Sequence, residues 1–167
     1  MNEAERKELH SQFHDSGWKG GNGILYPVEC LPVAELWASV EKAEKLHRKP
    51  FFETVKADID ADGLMFPILC VKTTRQQLID TKKRYNKSIR DLPFDPAKDD
   101  LSVVQYTVWG GSNRVCAAEE LGYTHIDCAI IPNLQTAHRL QKDMRAPFKQ
   151  RYYGPSGANE SNRVTSV

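Results

Sequence analysis

The sequence predicts one α/β domain, a small mixed sheet with flanking helices, and two stretches carry this prediction. Residues 104–131 have the pattern of a strand, a diglycine turn, a short helix, a glycine stop and a second strand. Residues 51–71 have a helix with one apolar face, a terminating glycine and a wholly apolar strand, which is typical of a strand buried on both faces. With 167 residues, 40% of them hydrophobic, the chain is long enough to bury one core.

Further elements are predicted around these two units. Residues 1–22 form a polar arm, which is expected to be a frayed helix leading into a flexible connector. Residues 24–30 alternate as a strand does, and Pro27 and Pro32 confine that strand to a sheet edge. Apolar residues three or four apart predict a helix over residues 33–47.

The expected domain boundaries follow from this order of elements. The core domain spans residues 23–132, with 72–103 as a basic helical insertion and 133–167 as a C-terminal extension. Asn133 is a suitable cap for a helix over residues 134–145, and a polar tail of disorder-prone composition follows it. If a tail of this composition is ordered, it is expected to pack against its own domain or against a protein partner.

Composition argues against a membrane protein and against metal chemistry. The net charge is +1, no apolar run approaches about 18 residues, and the N-terminus lacks the apolar segment of a signal peptide, so a cytoplasmic protein is expected. The cysteines form no CxxC pair and are expected to be buried, reduced thiols: Cys30, Cys70, Cys116 and Cys128. No metal site is expected, and His10 and His14, four residues apart in the polar arm, are assigned a surface role.

The diglycine turn is the best functional lead. Gly110 and Gly111 precede Ser112, a good helix N-cap, so the N–H groups of a helix start lie beside two residues without side chains. An anion can approach such a backbone closely, the helix dipole favours it, and Arg114 adds a guanidinium suited to phosphate oxygens. The pattern therefore favours a phosphate-bearing ligand, although a plain capped turn with a surface arginine is the commoner structure for so short a motif.

A strongly basic helix is predicted over residues 73–90, and a basic, aromatic stretch lies at 148–153. The cations of both could contact nucleic-acid phosphates, and the aromatic rings could stack on bases. The candidate contacts are Arg75, Lys82, Lys83, Arg84, Lys87, Arg90, Lys149 and Arg151. Such a series of charged residues more often belongs to a solvent-exposed helix without a ligand. DNA binding is therefore an alternative to the leading hypothesis.

The two units together resemble the ParB/sulfiredoxin superfamily over residues 23–132. The matching features, in chain order, are Gly63 at a helix end, Pro67-Ile68 at a strand start, the turn GGSNR at 110–114, the paired Ala117-Ala118, and Leu121-Gly122 before an apolar strand. The chain is most similar in plan to a stand-alone ParB N-terminal domain of the kind found in phages and mobile elements. That resemblance implies a protein of the host cytoplasm if the chain is phage-encoded.

The resemblance also implies that the GGxxR turn binds nucleotide phosphates. The nucleotide is ATP in sulfiredoxin and CTP in ParB proteins, and Mg²⁺ is a candidate companion ion. Carried over by position, the nucleotide contacts are Gly110, Gly111, Ser112, Asn113, Arg114 and the hydroxyl of Thr54. Where sulfiredoxin has a cysteine and a histidine, this chain has Ser112 and Asn113, so a reductase activity that needs a thiolate is not expected.

Three functions therefore stay open. The first is a nucleotide-binding domain with weak NTPase or phosphotransfer activity, for which Ser112 is the candidate catalytic residue. The second is a DNA-binding protein or nuclease, although no obvious carboxylate cluster suits two-metal cleavage. The third is a structural or interaction module without catalytic activity. This hypothesis is supported by the turn, which lacks both the cysteine of sulfiredoxin and the glutamate of ParB proteins.

Overall fold

The computed structural model of the protein describes residues 6–38, 50–89, 92 and 94–144. The described residues contain eight strands: β1 Glu8–Leu9, β2 Trp18–Lys19, β3 Leu25–Tyr26, β4 Val28–Pro32, β5 Leu36–Ala38, β6 Ile68–Thr74, β7 Val104–Gly110 and β8 His125–Ile131. They also contain four α-helices: α1 Pro50–Asp62, α2 Arg75–Arg84, α3 Ser112–Glu120 and α4 Leu134–Asp143.

Six of the strands form one mixed sheet, in which β8 is a central strand. β6 lies parallel to β8, with Ile68 opposite Cys128, and β7 lies antiparallel to β6. β5 follows at the sheet edge, parallel to β7. On the other side of β8 lies the antiparallel β4, and the first two residues of β8 also pair in parallel with β1. β2 and β3 form a separate antiparallel hairpin.

Helices cover both faces of this sheet. α1 and α3 pack on one face through the buried side chains of Phe52, Val55, Ile59, Val115, Ala117 and Ala118. α2 and α4 pack on the other face through Leu78, Ile79, Leu134, Ala137 and Leu140. Strands β6 and β8 are buried on both faces, as a continuous apolar run predicts.

The predicted fold class, a mixed α/β sheet with flanking helices, is confirmed by this architecture. The predicted strand–turn–helix–strand unit corresponds to β7, α3 and β8, and the predicted helix–glycine–strand unit corresponds to α1 and β6. Gly63 and Gly122 follow the two helices with φ angles of 76° and 86°, which is the left-handed conformation expected at a helix end. Asn133 caps α4, because its Oδ1 accepts a hydrogen bond from the Thr136 N–H at 2.8 Å.

The helix predicted over residues 33–47 is wrong in its first part. Val33–Glu35 form a single 3-10 turn, and Leu36–Ala38 then form β5, with Leu36 opposite Tyr106 of β7. The edge of β7 offers hydrogen bonds that a helix of 3.6-residue periodicity cannot use, so pairing overrides the local pattern. Residues 39–47 lie outside the described part of the chain.

The frayed helix expected in the N-terminal arm is also wrong, as far as residues 6–23 are concerned. Here Glu8 and Leu9 pair with His125 and Ile126 of β8, and Leu9 is buried in the core. The segment after Leu9 forms a turn and then the β2–β3 hairpin, with Trp18 buried. The domain boundaries at 22 and 132 remain predictions.

The helix of the basic segment is shorter than the helix predicted over residues 73–90. Thr73 and Thr74 complete β6, and α2 begins at Arg75 instead of at Thr73. A capping box sets this start: the Gln77 N–H donates to Thr74 Oγ1 at 3.1 Å, and Gln77 Oε1 accepts from the Thr74 N–H at 2.8 Å. Within the described ranges, no helix is long and apolar enough to cross a membrane.

The capping box gives a test of this helix start. We expect Thr74→Ala to lower the free energy of unfolding by about 1 kcal/mol, since the Gln77 N–H loses its partner. Thr74→Ser keeps the hydroxyl and should retain most of the stability. Urea titration of both variants measures the difference, and equal losses in the two would contradict the capping role.

Candidate functional site

The diglycine turn joins β7 to α3 and is tightly packed. Gly110 ends β7 opposite Leu69, and a Cβ on Gly110 would lie 3.2 Å from Leu69 Cδ1. Gly111 has φ 109° and ψ 22°, and a Cβ there would lie 2.6 Å from Ile68 Cδ1. Only glycine fits at residue 111 without strain and without a collision, so the turn's shape depends on this residue.

The N-terminus of α3 has no side-chain cap. Ser112, predicted as the N-cap, is instead the first helical residue, and Gly111 takes the cap position with no side chain to offer. Ser112 and Asn113 are both half-buried at this end of the helix. The N–H groups of this first turn have no side-chain acceptor from a cap, and such a helix start favours an anion.

Arg114 lies against this turn. Its side chain is 5% exposed, and its Nη1 donates a hydrogen bond to the Phe66 carbonyl oxygen at 2.7 Å. Its Nη2 would lie 2.8 Å from a Cβ on Gly111, so the guanidinium covers the glycine backbone directly. The alternative interpretation of the motif, a plain turn with a surface arginine, therefore does not describe Arg114, which is buried. Arg114 ties α3 to the chain entering β6 and places a positive charge beside the turn.

Thr54, the other predicted nucleotide contact, lies on the exposed side of α1. α1 and α3 pack side by side, and Lys56 Nζ lies 3.2 Å from Glu120 Oε1 in an ion pair between them. None of the hydrogen bonds among the described residues joins Thr54 to residues 110–114. Its role in nucleotide binding stays a prediction.

The predicted nucleic-acid contacts do not form one continuous basic face in the described part of the chain. Lys82 is 6% exposed, and its Nζ donates to the Ser88 carbonyl oxygen at 3.2 Å. Arg75 donates to the Asp100 carbonyl oxygen at 3.1 Å and lies over the Phe94 ring. The remaining described candidates, Lys83, Arg84 and Lys87, are exposed, and Arg90, Lys149 and Arg151 lie outside the described residues.

A cavity of about 430 Å³ lies along one side of this basic helix. It is lined by the end of β6, one side of α2 and the start of α4, and its polar side chains include Lys72, Gln77, Asp80, Arg84, Asn133 and Gln135. Asn133 is already engaged in capping α4. Charges of both signs line the cavity, so its electrostatics do not select a ligand class.

A cluster around Asp127 was not foreseen from the sequence. Asp127 is fully buried in β8, and its Oδ2 accepts hydrogen bonds from the Ser11 N–H at 2.7 Å and from Ser11 Oγ at 3.2 Å. His14 Nδ1 lies 2.9 Å from Asp127 Oδ1, and the His10 ring stacks on the His14 ring at 3.7 Å. The hydrogen bond to Asp127 raises the pKa of His14. The surface role assigned to this histidine pair is therefore incomplete, because His14 contacts a buried carboxylate.

One sequence signal could have indicated this cluster. Asp127 interrupts the apolar strand IDCAII, and a buried carboxylate needs partners. The sequence does not identify those partners, because Ser11 and His14 are more than 110 residues away from Asp127 along the chain.

The four cysteines are free thiols, but the predicted burial holds for only two of them. Cys70 and Cys128 are buried, and Cys30 and Cys116 are half-buried. Burial raises the pKa of Cys30 to about 12 and that of Cys116 to about 11. The hydrogen bond with Cys70, together with burial, raises the pKa of Cys128 as well. These three thiols are protonated at neutral pH, so none of them is an activated nucleophile.

Comparisons with known proteins give a structural neighbour but no family assignment. No protein-family model matches the chain, and no curated protein matches it. Among solved structures, the chain is similar to sulfiredoxin from Arabidopsis thaliana, with 14% sequence identity and a TM-score of 0.37 over 69% of this chain and 96% of that one. A likeness at this level carries no argument about activity, and the fold class rests on the sheet topology described above.

The packing of the turn predicts unequal effects of two glycine substitutions. Gly122→Ala should cost about 1–2 kcal/mol, because alanine is strained at φ 86° but its Cβ would meet no atom within 4 Å. Gly111→Ala adds a collision with Ile68, which should cost about 1–3 kcal/mol more. Thermal and chemical unfolding of both variants measures this, and equal stability of the two would show that the turn is not packed as described.

Proposed function

We propose that the chain is a nucleotide-binding domain that receives a phosphate group at the turn formed by residues 110–114. One observation supports this most: α3 starts after Gly111 with no side-chain cap, and the buried guanidinium of Arg114 lies against the same turn. Positive dipole ends and a fixed positive charge thus meet at one turn.

The expected contacts follow from this geometry. The N–H groups of the first helical turn would donate to phosphate oxygens, since no side-chain cap occupies this helix start. Arg114 would contribute through its charge, because its Nη1 is held by the Phe66 carbonyl oxygen. Ser112 and Asn113, half-buried at the same place, would add a hydroxyl and an amide. The proposed ligand is a nucleoside triphosphate, ATP or CTP, with Mg²⁺ on its phosphates.

The chemistry we propose is limited to weak phosphotransfer or NTP hydrolysis, with Ser112 as the candidate catalytic residue. Thiol chemistry at this turn has no support, because Ser112 is a hydroxyl. Cys116, one helical turn further along α3, has its pKa raised to about 11 by burial and is therefore a poor thiolate.

One alternative has an observation in its favour. Arg114 is buried and bonded to Phe66, so its role could be to hold α3 against the chain entering β6 in a module without ligand. DNA binding has less support, since Lys82 and Arg75 are already engaged within the protein. The experiment below separates the leading proposal from both.

We expect wild-type protein to bind ATP or CTP saturably, and Asn113→Asp to weaken that binding by about tenfold or more. The new carboxylate at the second helical position would repel phosphate, and a repulsion of about 1.4 kcal/mol already gives tenfold. The positive end of the helix dipole would also stabilise this carboxylate, so the fold should be maintained. Isothermal titration calorimetry with ATP, CTP and inorganic triphosphate measures the affinities.

A matched control exists at the second position of α4. Gln135→Glu makes the same amide-to-carboxylate change at the start of another helix and should leave nucleotide affinity unchanged. Absence of saturable binding in the wild type would overturn the proposal and favour the structural module. Binding of short DNA duplexes by wild type with no response to nucleotide would favour the DNA-binding alternative.

A further inference from the structure

Asp127 is a buried carboxylate with little positive charge near it. Its side chain is 0% exposed, and among the described residues His14 is the one basic side chain within ion-pair distance. The other bonds come from the N–H and hydroxyl of Ser11 and from the thiol of Cys30, all of which are neutral. Buried charges in proteins are paired or coordinate metal ions, because uncompensated burial costs several kcal/mol.

The segment that brings the histidines to Asp127 is held at several points. β1 pairs with the start of β8. Just before it, the Thr124 N–H donates to the Lys7 carbonyl oxygen at 2.8 Å, and the Lys7 N–H donates to Thr124 Oγ1 at 2.9 Å. Ser11 forms a parallel bridge with Leu64. Gln12 Nε2 donates to the Met65 carbonyl oxygen at 3.3 Å. A ligand set on such a segment is preorganised, which lowers the cost of assembling a site.

The donor atoms lie close enough together for one ion. His10, His14 and Asp127 each offer one ligand atom, and these atoms are all within 4.8 Å of one another. His14 Nδ1 is 2.9 Å from Asp127 Oδ1. The two imidazole rings are stacked at 3.7 Å with an interplanar angle of 9°, so the exposed His10 ring would have to turn to direct its in-plane lone pair at the same ion. Two imidazoles and one carboxylate are a set that divalent transition metals bind, with ligand distances of about 2.0–2.2 Å for zinc.

We propose that His10, His14 and Asp127 bind a divalent transition-metal ion such as Zn²⁺. The ion would compensate the buried charge of Asp127 and fasten the N-terminal segment to the start of β8. Three protein ligands leave a coordination position for water or another ligand. This site is separate from the proposed phosphate site and does not depend on it.

A second set of donors shares His10 and has to be distinguished. Glu8, His10 and Cys30 also place their ligand atoms within 4.8 Å of one another. Glu8, however, is exposed and already forms an ion pair with Arg6 at 2.6 Å. Asp127 is buried, and the basic side chain within ion-pair distance of it among the described residues is His14, itself a member of the set, so the set that contains Asp127 has the greater need of a cation.

Titration of tag-free protein with Zn²⁺ and with Co²⁺ tests the site. We expect one equivalent of either ion to bind and to raise the melting temperature, because an ion that binds only the folded state stabilises it. His10→Ala should weaken binding by more than about tenfold, the loss that even outer-shell partners can cause. His10 is exposed, and its side chain contacts the exposed Glu8 and the His14 ring, so its removal should leave the fold intact, as circular dichroism can verify.

Two further variants sharpen the result. His138→Gln removes a histidine that stacks on Tyr85 at a different place and should bind the ions as wild type does. Cys30→Ala should also leave the affinity unchanged, and Co²⁺ should show no thiolate charge-transfer band. Absence of one-equivalent binding, or equal affinity of wild type and His10→Ala, would overturn the proposal. Loss of binding in Cys30→Ala would overturn the ligand set.

Discussion

The buried carboxylate of Asp127 is the constraint on which the N-terminal half of the structure depends. It sits in a strand whose neighbours, Ile126 and Cys128, are fully buried. A carboxylate in that position is tolerated only where donors reach it, and the donors come from Ser11 and His14. The chain before β2 must therefore lie along the start of β8. That placement explains why a polar arm forms strand pairs and contributes to the core instead of fraying.

The short connection between α1 and β6 links this region to the diglycine turn. Leu64 bridges to Ser11, the Met65 carbonyl accepts from Gln12, and the Phe66 carbonyl accepts from Arg114. Ile68, at the start of β6, then packs against Gly111. The same few residues thus position both the Asp127 cluster and the proposed phosphate site, which lie at one end of the sheet. A substitution in this connection would therefore affect both the Asp127 cluster and the proposed phosphate site.

The elements that were predicted correctly have local causes. The glycines after α1 and α3 occupy left-handed conformations, and the apolar runs of β6 and β8 are buried on both faces. The position of Arg114 in the turn motif predicts its place beside the turn. Its burial could not be predicted, because the Phe66 carbonyl oxygen that accepts its hydrogen bond belongs to another unit of the fold. Likewise, spacing within Val33–Ala38 favoured a helix, and only the free edge of β7 made it a strand.

The sequence by itself determined the strand–turn–helix–strand unit and the glycine that ends its helix, since periodicity and glycine conformation act over a few residues. The tertiary structure alone decided the place of the N-terminal segment, the strand at Leu36–Ala38 and the partners of Asp127 and Arg114. In each of these cases the stabilising contact joins residues far apart in the chain, and no local pattern encodes which distant group will be within hydrogen-bonding distance.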